Sequence, residues 1–472
     1  MARIAVISVS DGRPAVHAEI TDHIVAQQAR LVAALVGEGH SVATTTEIVS
    51  SNELAVRAGR ECAALNPDLT IVNTCVWTFP SFTVLVAGET RGALLLFCNV
   101  DPGYPGMVGM LAAGGALDQI GRRHVRAWGD VSDAITLRSL ASVSRAAAAV
   151  QGLRGSTFGR IGGRPMGMNT AVSATDQWMR EFGIDVEEVD QFELVRRCAL
   201  VEDTRARGGR EWLEKMAAGV HYDGRRLTPE LLERQVRTYH AMQSLIEDLR
   251  LDFCGIKGQP ELTDHFCTMD IAEAFLNDPY DWEGSKAPVV CSTEADMDGA
   301  LTMQVLSGLS GTPALFADLR HFHADLGIWD LCNSGQHATW FATRSDDAAE
   351  NLAAVNLYPE EFYFPAGGAT VHHLAAPGAM TMARLSRLDG RYRMQVMSGE
   401  FVQFEDGVNQ RLMRASTYAW PHAFARLDVP DEEMLSRFGS NHIHAIPGDH
   451  VAALQQVCAF LDIRYEGFGA SV

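Results

Sequence analysis

The chain has 472 residues, too many for one compact core, so about three domains of ~150 residues each are expected. It is 47% hydrophobic and 21% charged, an ordinary globular composition that excludes a disordered, collagen-like or coiled-coil chain. With 39 Lys+Arg against 59 Asp+Glu the formal net charge is -20, which repels phosphate backbones and anionic lipid surfaces, so neither nucleic acid nor a membrane is an expected partner.

The opening Ile4-Ala-Val-Ile-Ser-Val9 is a continuous apolar run, as in a strand buried on both faces. It is short for a signal-peptide core, and no run nears the ~18 apolar residues of a membrane span. The nine cysteines are scattered, odd in number and without a Cys-x-x-Cys, which points to a reducing, cytoplasmic location. Apolar runs at Leu69–Val72 and Ala93–Phe97 alternate with helical stretches at 24–36, 53–65, 107–120 and 134–150. That alternation predicts a parallel sheet covered by helices, here assigned to residues 1–155. No Gly-x-Gly-x-x-Gly follows the first strand, so a nucleotide cofactor is not expected.

A second alternating block covers residues 156–312. Thr157–Ile161 reads as a strand, Thr170–Phe182 as a helix, and Thr228–Leu249 as a long helix with a Thr228-Pro229 start. Strands follow at Leu251–Ile256, Pro288–Ser292 and Pro313–Ala317. Residues 313–472 then change texture. Short runs at Val371–Leu374, Met380–Leu385, Tyr392–Val396 and Glu400–Phe404 are punctuated by Leu388-Asp-Gly and Glu405-Asp-Gly, with one helix at Asp449–Leu461. The expected fold class is α/β: two Rossmann-like doubly wound domains followed by a mostly antiparallel, barrel-like β domain.

Two strand ends carry carboxylates. Val289-Val-Cys-Ser-Thr-Glu294 and Ala314-Leu-Phe-Ala-Asp318 are apolar runs ending in an acid, and ligands of open α/β sheets bind beyond strand carboxyl ends. An ordinary crossover would put the two strands side by side. The plainer role for either acid is a helix N-cap. Gly439-Ser-Asn441-His442-Ile-His444 and Arg320-His321-Phe-His323 each offer a His-x-His. Structural zinc wants more nitrogen or sulfur ligands than these supply. Two carboxylates and one histidine with open positions suit Mn²⁺ or a similar six-coordinate ion better.

Several segments together resemble the L-fucose isomerase and L-arabinose isomerase family, and the L-fucose isomerases most closely. They are Asp11-Gly-Arg13, Cys75-Val-Trp77, Gly258-Gln259-Pro-Glu-Leu-Thr-Asp264, Asp270–Asn277 with Asp281-Trp282, Thr293-Glu294–Ala300, Phe316-Ala-Asp318-Leu-Arg320 and Asn441-His442 before Gly448-Asp-His-Val. The resemblance spans most of the chain in the family's order. It implies a divalent-metal-dependent aldose–ketose isomerase working through a cis-enediol, with Glu294, Asp318 and His442 holding the metal. Mn²⁺ is the implied ion, with Mg²⁺ or Co²⁺ as substitutes. Glu294 and Asp318 would also be the catalytic acid–base pair, either one in either role. Arg13, Trp77, Gln259, Trp420 and Asn441 would line the sugar pocket. A homo-oligomer, trimer or hexamer, would complete each site from neighbouring subunits.

The chain is shorter than the family, with the loss expected in its C-terminal domain, so the substrate is the open question. L-fucose or D-arabinose is one expectation; a modified hexose such as sulfoquinovose is another, with Lys257 near the motif as a charge for the sulfonate. His337 and His444 are further candidates for ligand or hydroxyl contacts. The rival classes are a non-catalytic sugar-binding protein and a metal-dependent hydrolase or aldolase on the same ligands.

Overall fold

The computed structural model describes residues 1–334 and 337–469. The chain forms two compact units: Met1–Arg154 with Ala452–Arg464, and Gly155–Val451 with the residues from Tyr465 onward.

The first unit is built on a five-stranded parallel sheet of β1 (Arg3–Ser8), β2 (Ser41–Thr44), β3 (Leu69–Asn73), β4 (Ala93–Cys98) and β5 (Val125–Trp128), in the order β2-β1-β3-β4-β5. The continuous apolar run of β1 is explained by its alternation. Ile4 and Val6 pack with Leu31 and Leu35 of the helix Pro14–Gly37 and with Leu140 and Val143 of the helix Ala134–Leu153. Ala5 and Ile7 turn the other way, to Ala55, Val86 and Leu117 of three further helices. Both faces are therefore covered, each large aliphatic side chain contributing roughly 1.5–3 kcal/mol on burial.

In the second unit β6 (Thr157–Ile161), β7 (Asp185–Val189), β8 (Phe253–Ile256) and β9 (Cys291–Thr293) form a parallel sheet in the order β9-β8-β6-β7. The helix Pro229–Leu249 starts as expected, with the Thr228 side chain accepting from the Leu231 amide and Pro229 in the first turn. It buries Leu232, Val236, Met242 and Leu245 against Ile161, Cys254, Ile256 and Cys291 of the sheet. Trp178 closes against Phe158 and Phe253, at 5.3 and 6.1 Å between ring centres.

The rest of this unit is a seven-stranded sheet. Its strands are β10 (Leu315–His323), β11 (Ile328–Cys332), β12 (Gly378–Leu388), β13 (Arg391–Phe401), β14 (His422–Leu427), β15 (His442–Pro447) and β16 (Arg464–Gly467). The order is β12-β15-β10-β11-β14-β13-β16, and β12 also pairs with β13, so the sheet closes on itself. The β12–β13 hairpin turns at Asp389 and Gly390, both with positive φ, the backbone that an Asp-Gly two-residue turn requires. Leu315, Ala317, Leu331, Met382, Met397, Ala423, Ile443 and Ala445 fill its interior.

Several expectations need correction. The stretch Thr170–Phe182 is not one helix but a short 3₁₀ turn, Asn169–Ala171, followed by a helix, Thr175–Glu181. Val371–Leu374 makes only isolated bridges, through His372 and Leu374. Asp406-Gly407 does not turn the chain between strands; it opens a helix, Asp406–Ala415. Another helix, Asp431–Arg437, joins the one near the chain's end, which runs Val451–Leu461. The strands bearing Glu294 and Asp318 are not neighbours. β9 lies at the edge of the parallel sheet, while β10 is held between antiparallel partners β15 and β11 of the closed sheet. Asp318 accordingly sits within a nine-residue strand and not at its end. No helix among the described residues is long and apolar enough to cross a membrane.

Candidate functional site

Strand register brings the first two side chains together. In the β10–β15 pair Phe316 lies opposite His444 and Asp318 opposite His442, while the alternate residues Ala317 and Ile443 face the sheet interior. Opposed side chains on one face of an antiparallel pair are within contact distance. His442 and His444 both pack on the Phe316 ring, at 4.6 and 4.9 Å.

Glu294 arrives from the other sheet. It follows β9 directly, and it and Ala295 are both left-handed, with φ of 59° and 47°. Two such residues in a row cost of order 1–3 kcal/mol each, so the surroundings must impose them. They do: the Ala295 amide donates to Ile256 O at 2.9 Å, and Ser292 Oγ donates to Asp296 O at 3.0 Å. The tight loop is possible because residue 255 is glycine. A Cβ there would stand 2.5 Å from Ser292 Oγ and 2.9 Å from Ala295 Cα.

The helix N-cap that follows is Asp296, whose Oδ1 accepts the Gly299 amide at 2.9 Å. Glu294 is thereby left free of the capping role. Its Oε2 lies 2.9 Å from His442 Nε2, and Asp318 Oδ1 lies 3.6 Å from the same nitrogen. Glu294 Oε2 and His442 Nε2 do not meet in hydrogen-bond geometry; both are buried and without a hydrogen-bond partner. Two carboxylates thus converge on one ring nitrogen.

Asp296 and Arg384 are the residues that sequence reasoning missed. Asp296 Oδ2 receives His442 Nδ1 at 2.6 Å and Arg384 Nη1 at 2.6 Å, and its Oδ1 takes Arg384 Nη2 at 3.1 Å. All three side chains are within 1% of complete burial. Burial alone would raise the Asp296 carboxyl, but Arg384 and His442 outweigh it and hold it well below the usual carboxylate range. Burial also opposes charging of His442, yet Asp296 and Glu294 push its ring up to about 10. For Asp318, burial and Glu294 together overcome His442, and the carboxyl is raised. Arg384 Nη1 also donates to His444 Nε2 at 3.2 Å, so that ring supports the arginine, and burial drives its pKa far down.

The remaining candidates have plain locations. Asn441 Nδ2 donates to Asp318 Oδ1 at 2.9 Å, and Asn333 Nδ2 to Oδ2 at 3.0 Å, so both carboxylate oxygens are held. Gln259 is buried, its Oε1 has no partner, and it lines a small cavity with Thr293, Ser334 and Phe364. Trp420 packs on Phe364, lies under the Arg320 guanidinium at 5.3 Å, and donates its indole N–H to Glu360 Oε1 at 2.5 Å. His337 is buried with neither ring nitrogen partnered; its neighbours Gly335 and Gln336 lie outside the described residues. His321 and His323 pack against each other at 4.7 Å. Lys257 is tied to Glu261 at 2.7 Å.

Arg13 and Trp77 belong to the first unit. They follow β1 and β3, which are paired neighbours, and so lie beyond the carboxyl ends of adjacent parallel strands. Arg13 forms a two-pronged pair with buried Asp11, at 3.0 and 2.6 Å, and Trp77 is half-buried.

Among the described residues no three His, Cys, Asp or Glu side chains are arranged so that they could hold a metal ion as they stand. Glu294, Asp318 and His442 are instead closed on one another. Their chemistry nonetheless fits a divalent cation. Two oxygens and a nitrogen share one point, two of those atoms are orphaned, and the imidazole's far nitrogen is fixed by a carboxylate, the usual outer support of a metal-binding histidine.

Comparison with known proteins identifies the family of the chain. Residues 1–155 match the first N-terminal domain of L-fucose isomerase, residues 247–311 the second N-terminal domain, and residues 331–468 the C-terminal domain. L-fucose isomerases of Escherichia coli O6:H1 (strain CFT073) and O139:H28 (strain E24377A) are each 26% identical over 495 aligned residues, covering 89% of this chain and 83% of theirs. A crystal structure of a conserved domain protein from Vibrio cholerae aligns at 15% identity with a TM-score of 0.17, covering 55% of this chain and 74% of that one, too low to bear on the fold. With all three domain models of one family met in chain order, the chain belongs to the L-fucose isomerase family and is an isomerase of the aldose–ketose class.

Proposed function

We propose that the protein is a divalent-metal-dependent isomerase of a free sugar, converting an aldose to its ketose through a cis-enediol. The observation that carries this reading is the meeting of Glu294 and Asp318 at His442 Nε2, with two orphaned atoms and a locked Nδ1. Glu294, Asp318 and His442 would hold the ion, Mn²⁺ by preference and Mg²⁺ or Co²⁺ as substitutes. When bound, it supplies Lewis-acid stabilisation of the negative charge that develops on the sugar's O1 and O2.

The protein's own groups do the rest. Moving the carbonyl from C1 to C2 takes a proton from C2 and returns one to C1. One carboxylate of the Glu294–Asp318 pair moves that proton while its partner serves the hydroxyl oxygens. Asp318 is kept in place by Asn441 and Asn333, and the left-handed backbone at 294–295 aims Glu294 at the same point. Asp296 keeps the His442 ring from rotating. Gln259 and Asn441 offer amide groups to sugar hydroxyls, and Trp420 offers an aromatic wall.

Arg13 and Trp77 are read as sugar-binding residues, and the working form is a homo-oligomer, trimer or hexamer, whose neighbouring subunits share sites. The division into domains 1–155, 156–312 and 313–472, with two Rossmann-like layers and a barrel-like third, belongs to the same proposal. A cytoplasmic location is supported by nine buried, unpaired cysteines. For the substrate we favour L-fucose or D-arabinose over a sulfonated hexose, because Lys257 already has Glu261 as its counter-ion.

The test is an aldose panel assayed for ketose, after chelation and after Mn²⁺ is restored. Chelation is expected to abolish turnover and Mn²⁺ to recover it. Glu294→Gln is expected to lower kcat by about 10²–10⁴-fold with the fold intact. Turnover that survives metal removal rejects the mechanism. Sugar binding without ketose would favour a binding protein, and a change of product mass a hydrolase or aldolase.

A further inference from the structure

Beyond the carboxyl ends of the paired strands β8 and β9, where open α/β sheets bind ligands, lies a small polar cavity. Gln259, three residues after β8, and Thr293, the last residue of β9, both line it. Asp270 and Glu273 line it from the helix Asp270–Asn277, three positions apart and so on one face. Every residue of that helix is buried. Gln259, Asp270 and Glu273 are 6%, 2% and 1% exposed, and Gln259 Oε1, Asp270 Oδ2 and Glu273 Oε1 are buried without a hydrogen-bond partner.

All three orphaned atoms are acceptors. A water molecule could donate to two of them, yet it brings no charge, and among the described residues no Lys, Arg or His acts on either acid. Both acids lie in the first turn of their helix, where the helix dipole favours them. That gain is a small part of the cost of taking two carboxylates out of water, and it leaves Gln259 unexplained. The cavity leaves about 10 Å³ for a guest, roughly one water-sized sphere, which excludes a sugar and admits a single ion. Oxygen donors with two negative charges select a hard divalent cation. Mg²⁺ keeps several of its waters, for which there is no room, whereas Ca²⁺ takes carboxylate, amide and hydroxyl oxygens directly. No imidazole or thiolate lines the cavity, unlike the point where Glu294 and Asp318 meet His442.

We propose that Gln259, Asp270 and Glu273 form a second cation site, for Ca²⁺, separate from that of Glu294, Asp318 and His442. The three orphaned oxygens are its first ligands, and Thr263, Thr268 and Thr293, which line the same cavity, have hydroxyls to extend the shell. The ion ties the helix Asp270–Asn277 to the ends of β8 and β9 and steadies the backbone one residue before Glu294. Gln259 binds it through Oε1 and keeps Nε2 for a sugar hydroxyl. The site stands whether or not the reaction proposed above is correct.

The experiment uses the full chain carrying Glu294→Gln, which weakens the first site and leaves the second. After chelation this protein is titrated with Ca²⁺, its bound calcium is counted, and its thermal unfolding is followed with and without the ion. One Ca²⁺ per chain is expected, with a higher Tm when it is present. Adding Glu273→Gln or Asp270→Asn is expected to weaken binding by at least about tenfold and to remove most of the rise in Tm. Crystals of the unsubstituted protein grown with Ca²⁺ are expected to show an ion about 2.3–2.6 Å from the three oxygens.

The proposal is overturned if the Glu294→Gln chain binds no Ca²⁺ at millimolar concentration, if binding survives both added substitutions, or if the crystal holds only water at that point. It is equally overturned if the Ca²⁺-treated protein shows the infrared carbonyl stretch of a protonated carboxyl that Glu273→Gln or Asp270→Asn removes, since a proton would then neutralise the acid. The crystal decides should the substituted chains not fold. None of these measurements needs turnover, so a failure of the isomerase reading leaves them unchanged.

Discussion

One residue, Asp296, decides how the candidate site is held. It is wholly buried, caps a helix, pairs with Arg384 and orients His442. A charge in that position is expensive unless every lone pair is used, and here each oxygen has two partners. Asp296→Asn removes the charge and leaves Arg384 buried without its counter-ion. Breaking one side of a buried pair costs about 3–5 kcal/mol, and losing the outer support of a metal-binding histidine weakens binding by about 10–100-fold. Urea unfolding should therefore show a lower midpoint, and Mn²⁺ titration a weaker site by that factor. A variant that is destabilised but binds Mn²⁺ as tightly as wild type would show that Asp296 serves only the helix. Neither Asp296 nor Arg384 was legible beforehand. An Asp three residues after a strand and just before a helix reads as a cap, which it is, and nothing in the spacing of positions 296, 384 and 442 announces that they meet.

At the scale of elements, what was legible follows from how many apolar positions each element shows. The buried parallel strands and the helix Pro229–Leu249 were readable because they bury a face at regular spacing. The helix Asp406–Ala415 buries only Asn409, Leu412 and Met413, and its Asp-Gly start imitates a turn. The strand-end carboxylates drew notice correctly as residues, but apolar runs do not say which partners a strand takes, so β9 and β10 were expected side by side. Links between elements carry a pH signature as well. Asp278 accepts the amides of Thr339 and Trp340 at 3.1 and 2.9 Å and so starts the 3₁₀ turn Thr339–Ala342. Burial raises its carboxyl from 3.8 to about 7, more than its bonds to Thr339 lower it. Between those values the folded chain binds more protons than the unfolded one, so this contribution to stability is full below 3.8 and fades as pH rises through about 7. Relative to Asp278→Asn, wild-type stability should fall by about 1.4 kcal/mol per pH unit across that window. Urea midpoints of both proteins at about pH 4.5 and 7.5 measure it; parallel curves for the two would remove Asp278 as the cause.

For the molecule as a whole, the path of the chain sets which parts depend on each other. Residues 452–464 belong with Met1–Arg154, although nearly 300 positions of the second unit intervene in sequence. A surface ion pair, Arg123 with Asp462 at 2.8 Å, joins the two segments, but both side chains are more than half exposed and such pairs contribute only about 0–1 kcal/mol. Apolar contact is the stronger tie. Ala453, Leu454, Val457 and Cys458 are buried along one side of the helix Val451–Leu461, and Phe460 packs on the cluster of Ile4, Val6, Leu31 and Leu35. Leu454→Ala should cost about 2–5 kcal/mol by the cavity it leaves. Because the helix is part of the first unit, that loss should be felt there. Hydrogen exchange is expected to quicken in β1, β3 and β4 while the strands of the closed sheet keep wild-type protection. Uniformly faster exchange across both units would mean that the whole chain opens together, and that the terminal helix stabilises the entire molecule.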